Sequence, residues 1–333
     1  MIQRRIGKLL PWLVLMIGLV ATYFLQQATF SSAQQLQQEN FTSQAREIKL
    51  RIQHRLETFE QVLRGVKGLY ISSKKVERDE FHNYIDILHL SANYPAIQTV
   101  GFGLLVSSPE KNRHVESIRK EGFPTYALHP EGEHSFYVPV VYVEPFSGSN
   151  LRRFGYDIYS DPVRRVAMDL ARDSDKAVIS GKINLAVLSE QDMQPGFVMY
   201  MSVYRNGMSH ETLADRRANI TGWIFATFKM EELMHGILDA QDKGLDTEIF
   251  DGQNVSLETL MYDRDGVLDM RDDDKKLYHS TQIIELASHN WTFKLHSLPV
   301  FEANITTGQV TVIQIIGTPV SYTHLTLPTI LLV

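Results

Sequence analysis

The stretch PVVYVEPFSGSNLRRFGYDIYSDPVRRVAMDLARDSDKAVISGKINL, residues 139–185, decides how the chain reads. Two apolar runs, 139–143 and 177–179, bracket an amphipathic segment at 161–173. Within that segment Val163, Val166, Ala167 and Leu170 recur at helical spacing. The turns between the elements carry Glu144, Ser147, Asn150, Asp157 and Ser180. Strand, turn, short helix and strand, with polar groups at the strand mouths over an apolar wall, is the pattern of a small-molecule pocket.

The surrounding composition is that of a folded protein. Of 333 residues, 44% are apolar and 22% charged, enough for two modest domains with accessories. The formal net charge of −6 argues against a nucleic-acid partner. Cysteine is absent, which excludes disulfides, thiolate metal sites and a cysteine nucleophile. The five Asn-x-Ser/Thr sequons, at Asn40, Asn219, Asn254, Asn290 and Asn304, are within chance for this length and carry no weight.

Outward to the N-terminus, Arg4, Arg5 and Lys8 precede LLPWLVLMIGLVATYFL, residues 9–25. An uncharged run of this length is expected to cross a bilayer, with residues 1–8 cytoplasmic and a membrane helix over 9–26. Trp12 and Tyr23 sit towards its two ends, where interfacial aromatics gather. The alternative is a cleaved signal peptide ending near residues 28–33. Either reading puts residue 31 onward outside the cytoplasm, at an inner (cell) membrane with the sensor region periplasmic or extracellular.

Residues 31–70 contain no proline, and no glycine before Gly65. Ile48, Ile52, Leu56, Phe59, Val62, Leu63, Val66 and Leu69 fall mostly three and four apart, which predicts one long stalk helix with a coiled-coil-like seam. Either a homodimer or packing within the chain would cover that seam. Further helices are expected at 74–90, 111–120 and 229–240, and strands at 97–106, 126–129, 136–142, 197–204, 222–228, 245–250, 257–262, 278–286 and 291–298. Two glycines in IQTVGFGLLV, residues 97–106, mark a bulge or close approach. A second, smaller antiparallel sheet is expected from about residue 223 to 300. The fold class is therefore α+β: a long helix, then two units in series. GQVTVIQIIG, 308–317, reads as the start of a second membrane span, over 309–318. The tail PVSYTHLTLPTILLV, 319–333, resembles a translated sequencing adapter and is expected to be artefactual.

Several blocks in order, GVKGLYISS (65–73), VERDEF (76–81), YPAIQTVGF (94–102), EGFP (121–124), PVVYVEPFSG (139–148), GYDIYSDPVRR (155–165), AMDLARDSDKAVISG (167–181), VYR (203–205) and GWIFATFKMEEL (222–233), resemble the CHASE domain. That is the extracellular sensor of cytokinin-receptor-like histidine kinases and of bacterial kinases and diguanylate cyclases. The resemblance covers about residues 60–240. It implies a stalk helix over 31–70, a membrane-distal PAS-like ligand-binding unit over 71–221 and a membrane-proximal PAS-like unit over 222–305. It also implies a small-molecule ligand, cytokinin-like in the plant receptors, no cofactor, and an output module outside this chain, a histidine kinase or a diguanylate cyclase. Glu144 stands nearest to the plant receptors' purine-binding aspartate, in the loop where this chain departs from their pattern. Ser180 follows KAVI where they have a threonine, and Leu170 matches a leucine whose backbone contacts the ligand.

On chemistry, Glu144 could accept ligand N–H groups and Ser180 could bond a ligand or cap its own turn. Tyr142, Phe146 and Met168 would supply apolar wall, or simply core. Asp157 in GYD is either a ligand contact or a pin for loop amides. Arg164 and Arg165 form either a salt-bridged helix face or an anion contact. DRDG at 263–266, with Asp269 and Asp272–Asp274 beyond it, evokes calcium without matching the EF-hand spacing. No G-x-S-x-G, Walker loop, kinase catalytic loop or H-E-x-x-H occurs, so no enzyme is expected here. The competing readings are a membrane-anchored enzyme, which would need Glu144, Asp157, His129 and His134 to converge, and a ligand-free dimerisation adaptor.

Overall fold

The computed structural model describes residues 2–186, 193–238, 242, 244–267 and 277–303, with the side chains of residues 2–11, 14 and 15 outside that description. The expectations for 309–318 and 319–333, and for Asp269 and Asp272–Asp274, lie outside the described residues. The elements in order are α1 (Ile2–Ser72), α2 (Arg78–Asp86), α3 (Leu90–Asn93), β1 (Ile97–Leu104), β2 (Val106–Ser107), α4 (Lys111–Lys120), β3 (Phe136–Tyr137) and β4 (Val140–Glu144). They continue with α5 (Pro162–Ser174), β5 (Val178–Ile179), β6 (Ile183–Ala186), β7 (Met193–Tyr204), α6 (Leu213–Asn219), β8 (Ile220–Lys229) and α7 (Met230–His235). The chain then forms β9 (Leu245–Asp251), β10 (Leu260–Asp263), β11 (His279–Leu286), β12 (His289–Ser297) and α8 (Pro299–Ala303).

The expected stalk is part of a longer, uninterrupted helix. Phe41, Ala45, Ile48, Ile52, Leu56, Phe59, Leu63 and Val66 form its buried stripe, and steps of three and four keep such residues on one face. That stripe packs on the chain's own sheets, in one core with Phe197, Phe228, Ile249 and Phe293. The seam therefore needs no second copy, and a homodimer would have to use another face of α1. Among the described residues no helix is long and apolar enough to cross a membrane. The side chains outside the description include Leu9, Leu10, Pro11, Val14 and Leu15 of the apolar run.

The first sheet has strand order β4-β1-β8-β7-β5, with β6 also paired to β7. All its pairings are antiparallel. Its inner face, with Val100, Phe102, Met199, Met201, Ile224 and Ala226, packs on α1. Its outer face, with Val140, Val143, Val198, Tyr200, Trp223 and Phe225, is covered by α5 and the loops before it. Gly101 lies between these layers. A Cβ there would run into the Phe225 ring and the Tyr142 carbonyl. The register shifts between Phe102 and Gly103, so the expected bulge and the close approach both occur. The second sheet has order β10-β9-β12-β11.

Three expectations are corrected. The strand at 222–228 was to open the second unit, but β8 sits between β1 and β7 in the first sheet, and the second sheet begins at β9. Its residues alternate between the two buried faces of the first sheet, which only a central position satisfies. The segment 126–129 forms a single bridge, His129 with Tyr156, in place of a strand. On α5 the buried face is Ala167, Met168 and Ala171. Val163, Val166 and Leu170 are exposed, because the face turned to the sheet is the one on which the Met168 carbonyl accepts from Trp223 Nε1 at 2.9 Å and the small Ala167 and Ala171 allow close approach.

Four rings bind these layers together. Phe59 of α1 stacks on Phe228 of β8 with centroids 4.9 Å apart, Phe228 stacks on Phe197 of β7 at 4.8 Å, and Phe197 meets Trp291 of β12 edge-on at 5.1 Å. Arg51 adds a polar tie, reaching the Ile237 carbonyl at 2.7 Å and both Asp242 oxygens at 3.0 Å. Truncating a fully buried Phe typically costs about 3–5 kcal/mol. Phe228→Ala is accordingly expected to lower the stability of both sheets by about that amount. Denaturant unfolding, followed separately by the fluorescence of Trp223 and of Trp291 in single-tryptophan variants, should show both transitions moving together.

Candidate functional site

On the outer face of the first sheet a cavity of about 190 Å³ opens between β4, the turn at 148–153, the start of α5, β6 and β8. Its apolar wall is Val140, Ile158, Leu185, Met193 and Phe225. Its polar wall is Ser149, Arg152, Arg153, Tyr156, Arg164 and Asn184. All but Met193 and Phe225 come from residues 139–185.

Arg153 is set by β1 and β8. The register of β1 shifts between Ile97 and Thr99, which brings Gln98 beside Thr99 and the facing Thr227. Nη1 of Arg153 donates to Thr227 Oγ1 at 2.6 Å and to Thr99 Oγ1 at 3.2 Å, and Nη2 donates to Gln98 Oε1 at 2.9 Å. The two threonine hydroxyls are themselves in hydrogen-bond contact. All these acceptors are neutral. Burial, then the neighbouring Arg164 charge, lowers the Arg153 guanidinium to about 10 from its ordinary 12.5. It remains a cation at neutral pH.

Arg164 enters from the first turn of α5. Its Nε lies 3.4 Å from Asp161 Oδ2, and that buried Nε has no hydrogen-bond partner. Nη1 reaches the Tyr200 hydroxyl at 3.5 Å, and the guanidinium sits 5.9 Å from the Tyr156 ring centre. Burial raises the Tyr200 hydroxyl above its ordinary value, so it stays protonated. Arg165, by contrast, turns outward and donates to the Tyr159 and Ser160 carbonyls.

A wider cleft of about 900 Å³ lies at the far end of α1, walled by Tyr70, Lys74, Lys75, Phe102, Tyr142, Tyr204 and Arg205 among others. It is the larger of the two and also basic, with Lys74, Lys75, Arg172, Arg205 and Arg217 against Glu110. In the smaller cavity three arginines stand with no carboxylate in the wall.

The seven residues expected to bind ligand are dispersed. Tyr142 stacks on Phe81 at 5.3 Å, donates to the Val76 carbonyl at 2.8 Å and borders the wide cleft. Glu144 pairs with His82 Nδ1 at 3.0 Å and accepts the Phe146 amide at 3.0 Å, facing α2. Phe146 is partly exposed, against Phe123 and Phe154. Asp157 is buried and accepts the Val138 and Tyr159 amides at 2.8 and 3.1 Å, pinning the loop. Met168 is core, with its carbonyl accepting from Trp223 Nε1 at 2.9 Å. Leu170 lies on the outside of α5. Ser180 is buried, accepts the Val198 amide at 3.0 Å and donates to the Gly181 carbonyl at 2.8 Å.

None of these seven borders the smaller cavity, whose polar groups sequence reading missed apart from Arg164. The signal for the others was the basic pair Arg152-Arg153 between two turns. The four residues an enzyme would have needed keep other partners. His129 meets the Phe154 carbonyl, His134 packs on Tyr137, Glu144 takes His82 and Asp157 takes backbone amides.

The turn after Ser180 leads to the second sheet. Asp251 Oδ2 accepts the Lys182 amide at 2.8 Å, and its Oδ1 meets His289 Nε2 at 2.6 Å. Burial works to raise the Asp251 carboxyl, but His289 and the Lys182 amide hold it below its ordinary value. The Ile179 amide donates to the Ala287 carbonyl at 3.2 Å, and Lys182 Nζ to the Glu258 carbonyl at 2.7 Å. Two residues further along β6, Asn184 and Leu185 line the cavity. One short edge segment, β5 and β6 paired in turn along β7, thus carries part of the cavity wall and the dock onto the second sheet.

Within the second sheet, Asp246, Asp263 and Asp265 bring carboxylate oxygens within 4.8 Å of one another. Burial, then the charges of Asp265 and Asp263, raises Asp246 to about 6. Its native value exceeds its ordinary one, so it contributes stability at low pH that is lost as pH rises from about 4 through 6. Asp246→Asn is expected to flatten that loss and raise Tm above pH 6, as thermal unfolding across pH 4–8 would show.

The comparisons with known proteins follow this geometry. The CHASE domain family model matches residues 74–262. A hybrid signal transduction histidine kinase A from Dictyostelium discoideum is 29% identical over 141 residues, covering 40% of this chain and 6% of that protein. The chain thus matches only a small part of that relative's length. An extracellular ligand-binding receptor from Desulfohalobium retbaense superposes with a TM-score of 0.39 at 10% identity, over 74% of this chain and 39% of that one. With more than half of its length matched by the family model, the chain belongs to the CHASE domain family of signalling-receptor sensor domains.

Proposed function

We propose that the first sheet is a membrane-distal, PAS-like unit that captures a small molecule, and that the second is the membrane-proximal, PAS-like unit that relays its occupancy. The observation that carries this reading is the edge segment of β5 and β6, which pair in turn along β7 and are joined by the turn at 180–182. It contributes Asn184 and Leu185 to the cavity and Lys182 to the Asp251–His289 dock. A ligand drawing on the first would bias the second. Such a ligand shifts an equilibrium only by its differential affinity for the two arrangements.

The membrane anchor is the first part of α1. Trp12, Leu13, Met16, Ile17, Leu19 and Val20 are exposed there. So are Tyr23, Phe24 and Leu25, three consecutive residues that point roughly 100° apart around a helix. No face of that segment hides its apolar surface, as a lipid-facing helix requires. The sheets then stand on the extracytoplasmic side, and the output module, a histidine kinase or a diguanylate cyclase, belongs to a longer protein. The Dictyostelium relative, named as a histidine kinase, favours the former.

The test is thermal unfolding of the full chain in lipid nanodiscs against a panel of small polar metabolites. A true ligand at a hundred times its Kd is expected to stabilise the chain by about 2.7 kcal/mol. Leu185→Arg, which fills the cavity, should abolish the shift. A panel without any stabilising compound, or a shift untouched by that substitution, would contradict the reading.

A further inference from the structure

We infer that the cavity of the first sheet recognises a compact organic anion: a short-chain carboxylate whose acid group is held by the guanidinium groups of Arg153, Arg164 and Arg152. This inference rests on the proposed sensor function and names the ligand class of that same site.

Charge balance is the first argument. Three arginines and no carboxylate form the wall of this cavity, in a chain whose net charge is −6. The wall is therefore basic although the chain as a whole is acidic. Arg153 spends its hydrogen bonds on Thr99, Thr227 and Gln98, and no carboxylate among the described residues pairs with it. The nearest acid, Asp161, uses Oδ1 for the amides of Val163 and Arg164 and meets only the Nε edge of Arg164. A buried cation without a counter-charge is costly. A bound anion would supply that charge through charge-assisted hydrogen bonds. Arg153 is also pre-oriented by its three neutral acceptors, so little side-chain freedom remains to be lost on binding.

Size and wall composition narrow the class. The cavity of about 190 Å³ is small beside the roughly 300–1,000 Å³ of sites for drug-sized ligands. Leu185, Met193, Ile158 and Phe225 face the arginines with carbon. Inorganic sulfate or phosphate has no carbon to place there, whereas an acid of about four or five carbons fills both halves. Tyr156, Ser149 and Asn184 remain for a second polar group.

The experiment is calorimetric titration and thermal unfolding of the full chain in nanodiscs with succinate, glutarate and butyrate. Inorganic phosphate, sulfate, butyramide and adenine serve as comparisons. One or more carboxylates should bind, and the amide and the inorganic anions should bind at least tenfold more weakly. Arg152→Gln, at an exposed position, should weaken the carboxylate roughly tenfold to a hundredfold, as loss of a charge-assisted bond does. Arg164→Gln should do the same, and if that variant unfolds, Arg152→Gln decides. Equal binding of phosphate or sulfate, equal binding of butyramide, or no effect of Arg152→Gln overturns the inference. Binding of adenine but of no carboxylate overturns it too, while leaving the sensor reading intact. Silence from every compound removes both.

Discussion

The stack of Phe59, Phe228, Phe197 and Trp291 is the contact on which the rest of the molecule depends. Each ring belongs to a different element, and each is buried. The column joins a helix that runs on through the apolar N-terminal run to the sheet that carries the cavity, and that sheet to the next. Aromatic pairs of this kind add directional preference to the apolar burial itself. Because the interior is close-packed, a shift of one ring is not absorbed locally. The two sheets and α1 are thus held as one body, with Arg51 and its partners adding a polar tie at the same level.

Against that rigid inner side, the outer side of the first sheet is where a small change can register. The loop at 145–160, the first turn of α5 and the β5–β6 edge segment converge over Phe225 and Gly101. Their hydrogen bonds to the second sheet include Asp251, itself held by His289, with the Lys182 amide, the Glu258 carbonyl with Lys182 Nζ, and the Ala287 carbonyl with the Ile179 amide. A polar dock of this sort has alternatives in water, whereas the aromatic column has none. A ligand at the cavity would therefore act on the β5–β6 edge segment and leave the column in place.

Much of the fold was legible because it rests on periodicity. The stripe from Ile48 to Val66 announces its helix through steps of three and four. The apolar run of β7 and the alternation of β12 announce strands, and the glycines of IQTVGFGLLV announce the bulge. The site was less legible, for three physical reasons. Apolar residues on α5 were assigned to its core by type, yet the helix packs through Ala167, Met168 and Ala171 and leaves Val163, Val166 and Leu170 exposed. Strand parity sends Tyr142 and Glu144, paired with Phe102 and Val100, towards α1 and α2 and away from the cavity. Arg153 owes its place to Thr99, Thr227 and Gln98, which lie 54 to 74 residues away in sequence, and no local pattern can reveal that.

The central claim is that occupancy of the arginine-lined cavity reaches the second sheet through the β5–β6 edge segment. Amide hydrogen exchange of the full chain, with and without a saturating short-chain carboxylate, tests it most directly. The account predicts slowed exchange at residues 149–164 and 183–186, together with altered exchange at 245–251 and 289–292 that Asp251→Asn abolishes. Changes confined to the cleft around Lys74 and Lys75, or a distal response that leaves the second sheet untouched, would contradict it.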